Sequence, residues 1–98
     1  MIGRFSRRVE RRIFLLNDRL ADLSREERLV VEELAYHRHI HDDAVRDALV
    51  TELRDDRVAA REAAAVVARF DRELERLRKQ RAAVESKRAR LLARLEDV

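Results

Sequence analysis

The sequence predicts an all-α protein, a long antiparallel coiled-coil helical hairpin. The chain of 98 residues contains one Gly and no Pro, and turns usually draw on these two residues. Apolar residues recur at alternating spacings of three and four along most of the chain, which is the heptad pattern of paired helices. The pattern shifts by one residue near 49–56, as a break between two helices would produce.

The whole chain, 1–98, is expected to form a single helical domain. Arm 1 spans about 4–51, the turn about 52–56, and arm 2 about 57–98. Charged residues make up 44% of the chain and aromatic residues only 4%, and this Ala-, Glu-, Leu- and Arg-rich composition is typical of long helices. In the turn, Asp55 or Asp56 could cap the second helix.

Two other arrangements remain open. Ser24 and Glu27 form a capping box, so a helix break at 24 would give a three-helix bundle of 4–23, 25–51 and 56–97. The apolar pattern nevertheless continues through Ser24 without a change of phase, which favours a continuous helix. Alternatively, Val45, Leu49 and Leu53 could carry the pattern across the turn, giving a long rod-like coiled-coil dimer.

The distribution of charge favours the hairpin. Residues 1–20 and 57–98 are net basic, whereas residues 21–56 are net acidic. An acidic arm laid antiparallel on a basic arm is favourable, whereas a parallel, in-register dimer would bring acid against acid. Exposed ion pairs contribute only ~0.2–1 kcal/mol each, so charge selects the arrangement more than it drives folding.

Folding back near Leu53 places Leu34 opposite Leu74, and His37 opposite Phe70 and Asp71. Two helices alone bury one stripe each, and Ala fills much of this one. We therefore expect a thin core and a chain that dimerises or docks on a larger partner. The predicted interaction seam consists of Leu34, His37, His41, Ala44, Ala48, Ala60, Ala63, Val67, Phe70, Leu74 and Leu77.

Three histidines lie within AYHRHIHDDA, residues 35–44. On a helix, His37 and His41 share a face with Glu33, whereas His39 points away. Zinc takes about four ligands, so these three residues are weak metal candidates and we predict neither a metal site nor a cofactor. The favoured interpretation is that His37 and His41 are half-buried seam residues that fix the register; a pH-sensing role is the alternative.

A second predicted surface is a basic end, formed where the N-terminal part of arm 1 meets the C-terminal part of arm 2. Basic residues would face basic residues there, so a bound anion would relieve their repulsion. The candidate anions are nucleic-acid phosphate, an anionic lipid surface and an acidic protein groove. Its residues are Arg4, Arg7, Arg8, Arg11, Arg12, Lys87, Arg88, Arg90 and Arg94.

The predicted function is non-catalytic. The sequence has no Cys and no Gly-rich phosphate loop, and a helical hairpin offers little concave surface for a reaction. We expect a coiled-coil interaction or assembly module that binds a protein partner or itself. The alternatives are a small basic accessory factor of a nucleic-acid machine, such as a ribosome or RNA polymerase, and a peripheral membrane adaptor acting through its basic N-terminus. The expected location is cytoplasmic.

Overall fold

The computed structural model describes residues 4–96, with side chains from Ser6 onward. Helix α1 spans Arg4–Thr51 and helix α2 spans Arg54–Glu96. The two helices pack together as a hairpin, and the described residues contain no strand. The predicted all-α helical hairpin is therefore confirmed.

Helix α1 continues through Ser24 without a break. Leu20 and Leu23 are buried just before this position, whereas Ser24 is exposed. Asp22 and Arg25 form an ion pair three residues apart on the helix surface, a spacing that supports a continuous helix. The capping box at Ser24 is thus not used to start a new helix, and the three-helix arrangement does not form.

The turn is shorter than the range 52–56. Only Glu52 and Leu53 separate the helices, so α2 begins at Arg54, three residues before the expected start of arm 2. Asp55 and Asp56 lie inside the first turn of α2, where the helix dipole favours negative charge. Neither aspartate stands in front of the helix as its cap.

Local hydrogen bonds hold the turn together. The Glu52 N–H donates to the carbonyl oxygen of Ala48 at 3.1 Å, and the guanidinium of Arg57 donates to the carbonyl oxygen of Glu52 at 2.8 Å. The hydroxyl of Thr51 accepts from the N–H of Leu53 at 3.3 Å. Glu52 itself has a φ of 58°, a left-handed conformation that costs a residue other than Gly about 1–2 kcal/mol.

The chain forms two compact units. The terminal unit comprises residues up to Glu26 and from Leu77 onward, and the turn unit comprises Glu27–Arg76. Most of the buried apolar residues belong to the terminal unit. They are Val9, Ile13, Leu20, Leu23, Leu77 and Leu91.

The centre of the terminal unit is a cluster of Val9, Ile13 and Leu91, with Leu16 and Leu95 packed against it. Full burial of one such side chain contributes about 1.5–3 kcal/mol. This cluster joins the N-terminal part of α1 to the C-terminal part of α2.

The turn unit has a much thinner core. Leu34 and Leu74 are its buried apolar residues among those that the structure describes, and no side chain from 35 to 73 is buried. The seam alanines there are half-buried, and a methyl group removes little apolar area from water. The buried core of the turn unit therefore contributes little free energy to the pairing of its two helices.

Candidate interaction surfaces

His37 is part of the contact between the two helices. Its ring stacks on Phe70, with the ring centroids 5.0 Å apart and the planes 16° from parallel. Tyr36 meets the same imidazole edge-on at 5.3 Å. The Nε2 atom of His37 lies 3.5 Å from a carboxylate oxygen of Glu33. His37 therefore occupies the position opposite Phe70 that the predicted register gives it.

The other two histidines have different surroundings. His41 is half-buried in the seam, whereas His39 is exposed and lies 3.5 Å from Asp43. Among the described residues, no three His, Asp or Glu side chains are grouped as ligands for a metal ion. The structure thus brings Glu33 to His37 but does not gather both with His41.

The predicted interaction seam lies between α1 and α2 within each unit. Leu34 and Leu74 are buried in the turn unit, and Leu77 is buried in the terminal unit. The remaining seam residues are half-buried: His37, His41, Ala44, Ala48, Ala60, Ala63, Val67 and Phe70. Because the seam joins the two helices of the chain, a surface for another molecule must lie beside it.

One such surface is an apolar groove beside the seam of the turn unit, with a volume of about 310 Å³. Leu49, which is 73% exposed, forms its most accessible apolar wall. Val50 and Leu53 are also exposed near the turn. The groove is lined by Val45, Ala48 and Leu49 of α1 and by Arg57, Ala60 and Arg61 of α2.

A second apolar surface lies on α1 of the same unit. Leu29, Tyr36 and Ile40 are exposed, and their spacing of seven and four residues places them on one face of the helix. Glu33 and Asp43 fall on this face as well, by the same periodicity. We call these five residues the acidic stripe.

Ion pairs support the turn unit at its surface. Arg38 on α1 pairs with Asp71 on α2 at 3.0 Å. On α2, Arg76 donates to the carboxylate of Glu73 at 3.0 and 2.5 Å. This hydrogen bond, more than the charge of Arg76, lowers the pKa of the Glu73 carboxyl below its ordinary value. Exposed pairs of this kind fix side-chain geometry but add little stability.

The predicted basic end is only partly assembled into one site. Arg12 of α1 and Lys87, Arg90 and Arg94 of α2 line a cleft of about 310 Å³ in the terminal unit, with Leu91 between them. We call this the basic cleft.

Arg88, another residue of the predicted basic end, donates a hydrogen bond of 2.9 Å to the Oδ1 atom of Asn17. Arg7, Arg8 and Arg11 are exposed and do not line the basic cleft. The side chain of Arg4 lies outside the described residues.

Sequence reasoning identified the cations of the basic cleft but did not identify the apolar groove as a surface. The sequence pattern that indicates this groove is the pair of apolar residues Val45 and Leu49, which directly follow the seam positions Ala44 and Ala48 and so widen the apolar face of the helix. None of the described helices is long and apolar enough to cross a membrane. The chain matches no family model, no curated protein and no solved structure.

Proposed function

We propose that this protein is a non-catalytic assembly module that associates with further copies of itself through its turn unit. One observation carries the proposal. No side chain between 35 and 73 is buried, yet Val45 and Leu49 of the same unit are exposed. Apolar surface beside a thin core is stabilised when another helix covers it, because burial removes that surface from water.

Charge complementarity favours a second copy as the occupant of the groove. Arg57 and Arg61 line the groove, so a helix that carries carboxylates beside its apolar residues suits it. The acidic stripe has this character, with Glu33 and Asp43 beside Tyr36. The apolar contact supplies affinity, and the opposite charges select the orientation of the two copies.

The positions of the two surfaces determine the kind of assembly. At 3.6 residues per turn, the positions of Leu49 and Tyr36 are separated by about 140° around the axis of α1. The groove and the acidic stripe therefore face different sides of the helix. An interface that joins two different surfaces is heterologous, and it leaves one surface of each kind free on the assembly. We expect association to continue past the dimer as concentration rises.

The lining of the groove fits binding and not a reaction. Its side chains are aliphatic or guanidinium groups, which supply apolar contact and charge but neither a nucleophile nor a general base. The function proposed is accordingly one of contact between helices.

Sedimentation velocity over a hundredfold range of concentration tests the proposal. The wild-type chain should form larger species as concentration rises. Leu49→Glu, which changes the groove, and Tyr36→Glu, which changes the acidic stripe, should each remain monomeric. Leu92→Glu is the matched control, because Leu92 is 43% exposed but belongs to the terminal unit; it should assemble like the wild type.

Mixing the two defective variants provides the sharper test. Leu49→Glu keeps an intact acidic stripe, and Tyr36→Glu keeps an intact groove, so an equimolar mixture should form a heterodimer and stop there. Circular dichroism of each variant should show the helix content of the wild type. A wild-type chain that stays monomeric throughout the range, or a mixture that stays monomeric while the wild type assembles, would overturn this assignment of surfaces.

A further inference from the structure

The basic cleft brings like charges together from both helices. Arg12 approaches from α1, and Lys87, Arg90 and Arg94 approach from α2, around a space of about 310 Å³. Leu91, the apolar residue among the described lining side chains, is buried in the core of the terminal unit. The core therefore fixes the backbone on both sides of the cleft, and the four cations are held on a rigid support.

Among the side chains that the structure describes, from 6 to 96, none that lines the basic cleft is acidic. Among the residues that the structure describes, Arg12, Lys87 and Arg90 form neither an ion pair nor a hydrogen bond through their side chains. Elsewhere in the same unit, Arg81 pairs with Glu85 at 3.4 Å. Like charges that share a cleft repel each other, so an anion bound between Arg12, Lys87 and Arg90 would relieve their mutual repulsion.

From this arrangement we infer that the basic cleft binds phosphate groups of a nucleic-acid backbone. Guanidinium groups match phosphate oxygens in a bidentate geometry, and the Lys ammonium adds a point charge. The volume of the cleft is at the lower end of the ~300–1,000 Å³ typical of ligand sites, so a phosphate and its neighbouring sugar suit it better than a large organic ligand.

Two features favour nucleic acid over a membrane as the source of phosphate. Val9 and Ile13, which would insert among lipids if α1 acted alone, are buried against Leu91. Among the side chains described in this part of α1, from Ser6 onward, the exposed large apolar ones are Phe14 and Leu15, less than the continuous apolar face of an interfacial helix.

Binding is expected to be independent of base sequence. The described side chains that line the basic cleft include no aromatic ring, so they do not form the stacking platform on which single-stranded bases are usually held. Contacts to phosphate position a protein on nucleic acid without reading its sequence. This site lies in the terminal unit and does not depend on the assembly proposed for the turn unit.

Fluorescence anisotropy with a labelled RNA duplex of mixed sequence tests the inference, using the full chain at several salt concentrations. Arg90→Glu should weaken binding at least tenfold, the loss expected of one charge-assisted hydrogen bond. It should also lower the slope of log affinity against log salt by about one. Arg72→Glu makes the same charge change at an exposed position of α2 outside the cleft, and it should weaken binding less than twofold.

Two further probes distinguish phosphate from other anions. Polyglutamate should bind at least tenfold more weakly than the duplex, because the duplex carries a denser and more regular array of charges and releases condensed counterions on binding. Vesicles containing phosphatidylglycerol should not retain the chain in a flotation assay at a salt concentration at which RNA still binds. Equal weakening by Arg90→Glu and Arg72→Glu would overturn the inference, as would equal binding of polyglutamate, preference for vesicles, or no binding of RNA at low salt.

Discussion

Truncation of Leu77 to alanine measures how much the hairpin depends on its buried seam. Leu77 lies on α2 in the terminal unit and is 1% exposed. Leu15, which is 62% exposed on α1, provides the matched control. Both changes remove the same atoms and have the same small effect on helix propensity, so the difference between them reports burial alone.

The expected magnitude follows from the burial of Leu77. Replacing a buried Leu by Ala costs about 2–5 kcal/mol, and the cost grows with the cavity that remains. A pair of helices can close partly around such a gap, so we expect about 3 kcal/mol. Against the ~5–15 kcal/mol that stabilises a typical domain, this is a large loss, and it corresponds to a fall in Tm of roughly 12–24 °C. Leu15→Ala should change the free energy of unfolding by less than ~0.5 kcal/mol.

Urea and thermal unfolding followed by far-ultraviolet circular dichroism provide the assay. Protein concentration is held constant, because assembly would itself shift the apparent stability. If the two variants differ by less than ~1 kcal/mol, Leu77 is not buried in solution, and the reasoning from the heptad seam to the hairpin fails with it.

Three other substitutions test the turn, the seam and the surface pairs. Glu52→Gly should raise the free energy of unfolding by about 1 kcal/mol, because Gly adopts the left-handed conformation without the steric cost; an unchanged or lower Tm would contradict this. His37→Ala should lower stability by at least the ~0.5–1.5 kcal/mol of an aromatic pair, whereas His39→Ala on the exposed face should have almost no effect, and equal losses would argue against the stacked contact. Because the Glu73 pKa is lowered in the folded chain, its stabilisation is present above the unfolded value of about 4.3 and is lost as pH falls through the folded value. Titration of Glu73 by nuclear magnetic resonance should therefore give a midpoint below that of a free Glu side chain, and Arg76→Gln should raise it; a midpoint that does not move would contradict the assigned cause.

The sequence was sufficient to predict two long helices folded as a hairpin, because the apolar spacing and its change of phase near 49–56 indicate both. Leu34, Leu74 and Leu77 recur at seam positions, and pairing them leaves few other ways to fold the chain. The start of α2 was harder to predict. Aspartate is favourable both as a cap before a helix and in the first turn within it, so Asp55 and Asp56 are compatible with either boundary.

The surfaces beside the seam could be predicted only in part. Of the nine basic residues predicted for one end, Arg12 and Lys87 line the basic cleft, whereas Arg88 is bonded to Asn17. Which side of the seam each long side chain occupies depends on the packing of both helices, and composition does not contain that information. The register did place His37 opposite Phe70, but the stacked geometry of the two rings depends on the side-chain conformations that the structure provides.

The uneven distribution of the core has a consequence for how the chain is made. Arg38 and Asp71 in the turn unit are 33 residues apart in sequence, whereas Asn17 and Arg88 in the terminal unit are 71 apart. Closing the longer loop costs only about 0.6 kcal/mol more for each doubling of its length. The contacts of the terminal unit therefore form late because the end of α2 is synthesised late, and not because closing the loop is entropically costly. The apolar residues near the start of α1 are synthesised before Leu91, their partner on α2. Until Leu91 is present, Val9 and Ile13 therefore lack the contact that buries them in the folded chain.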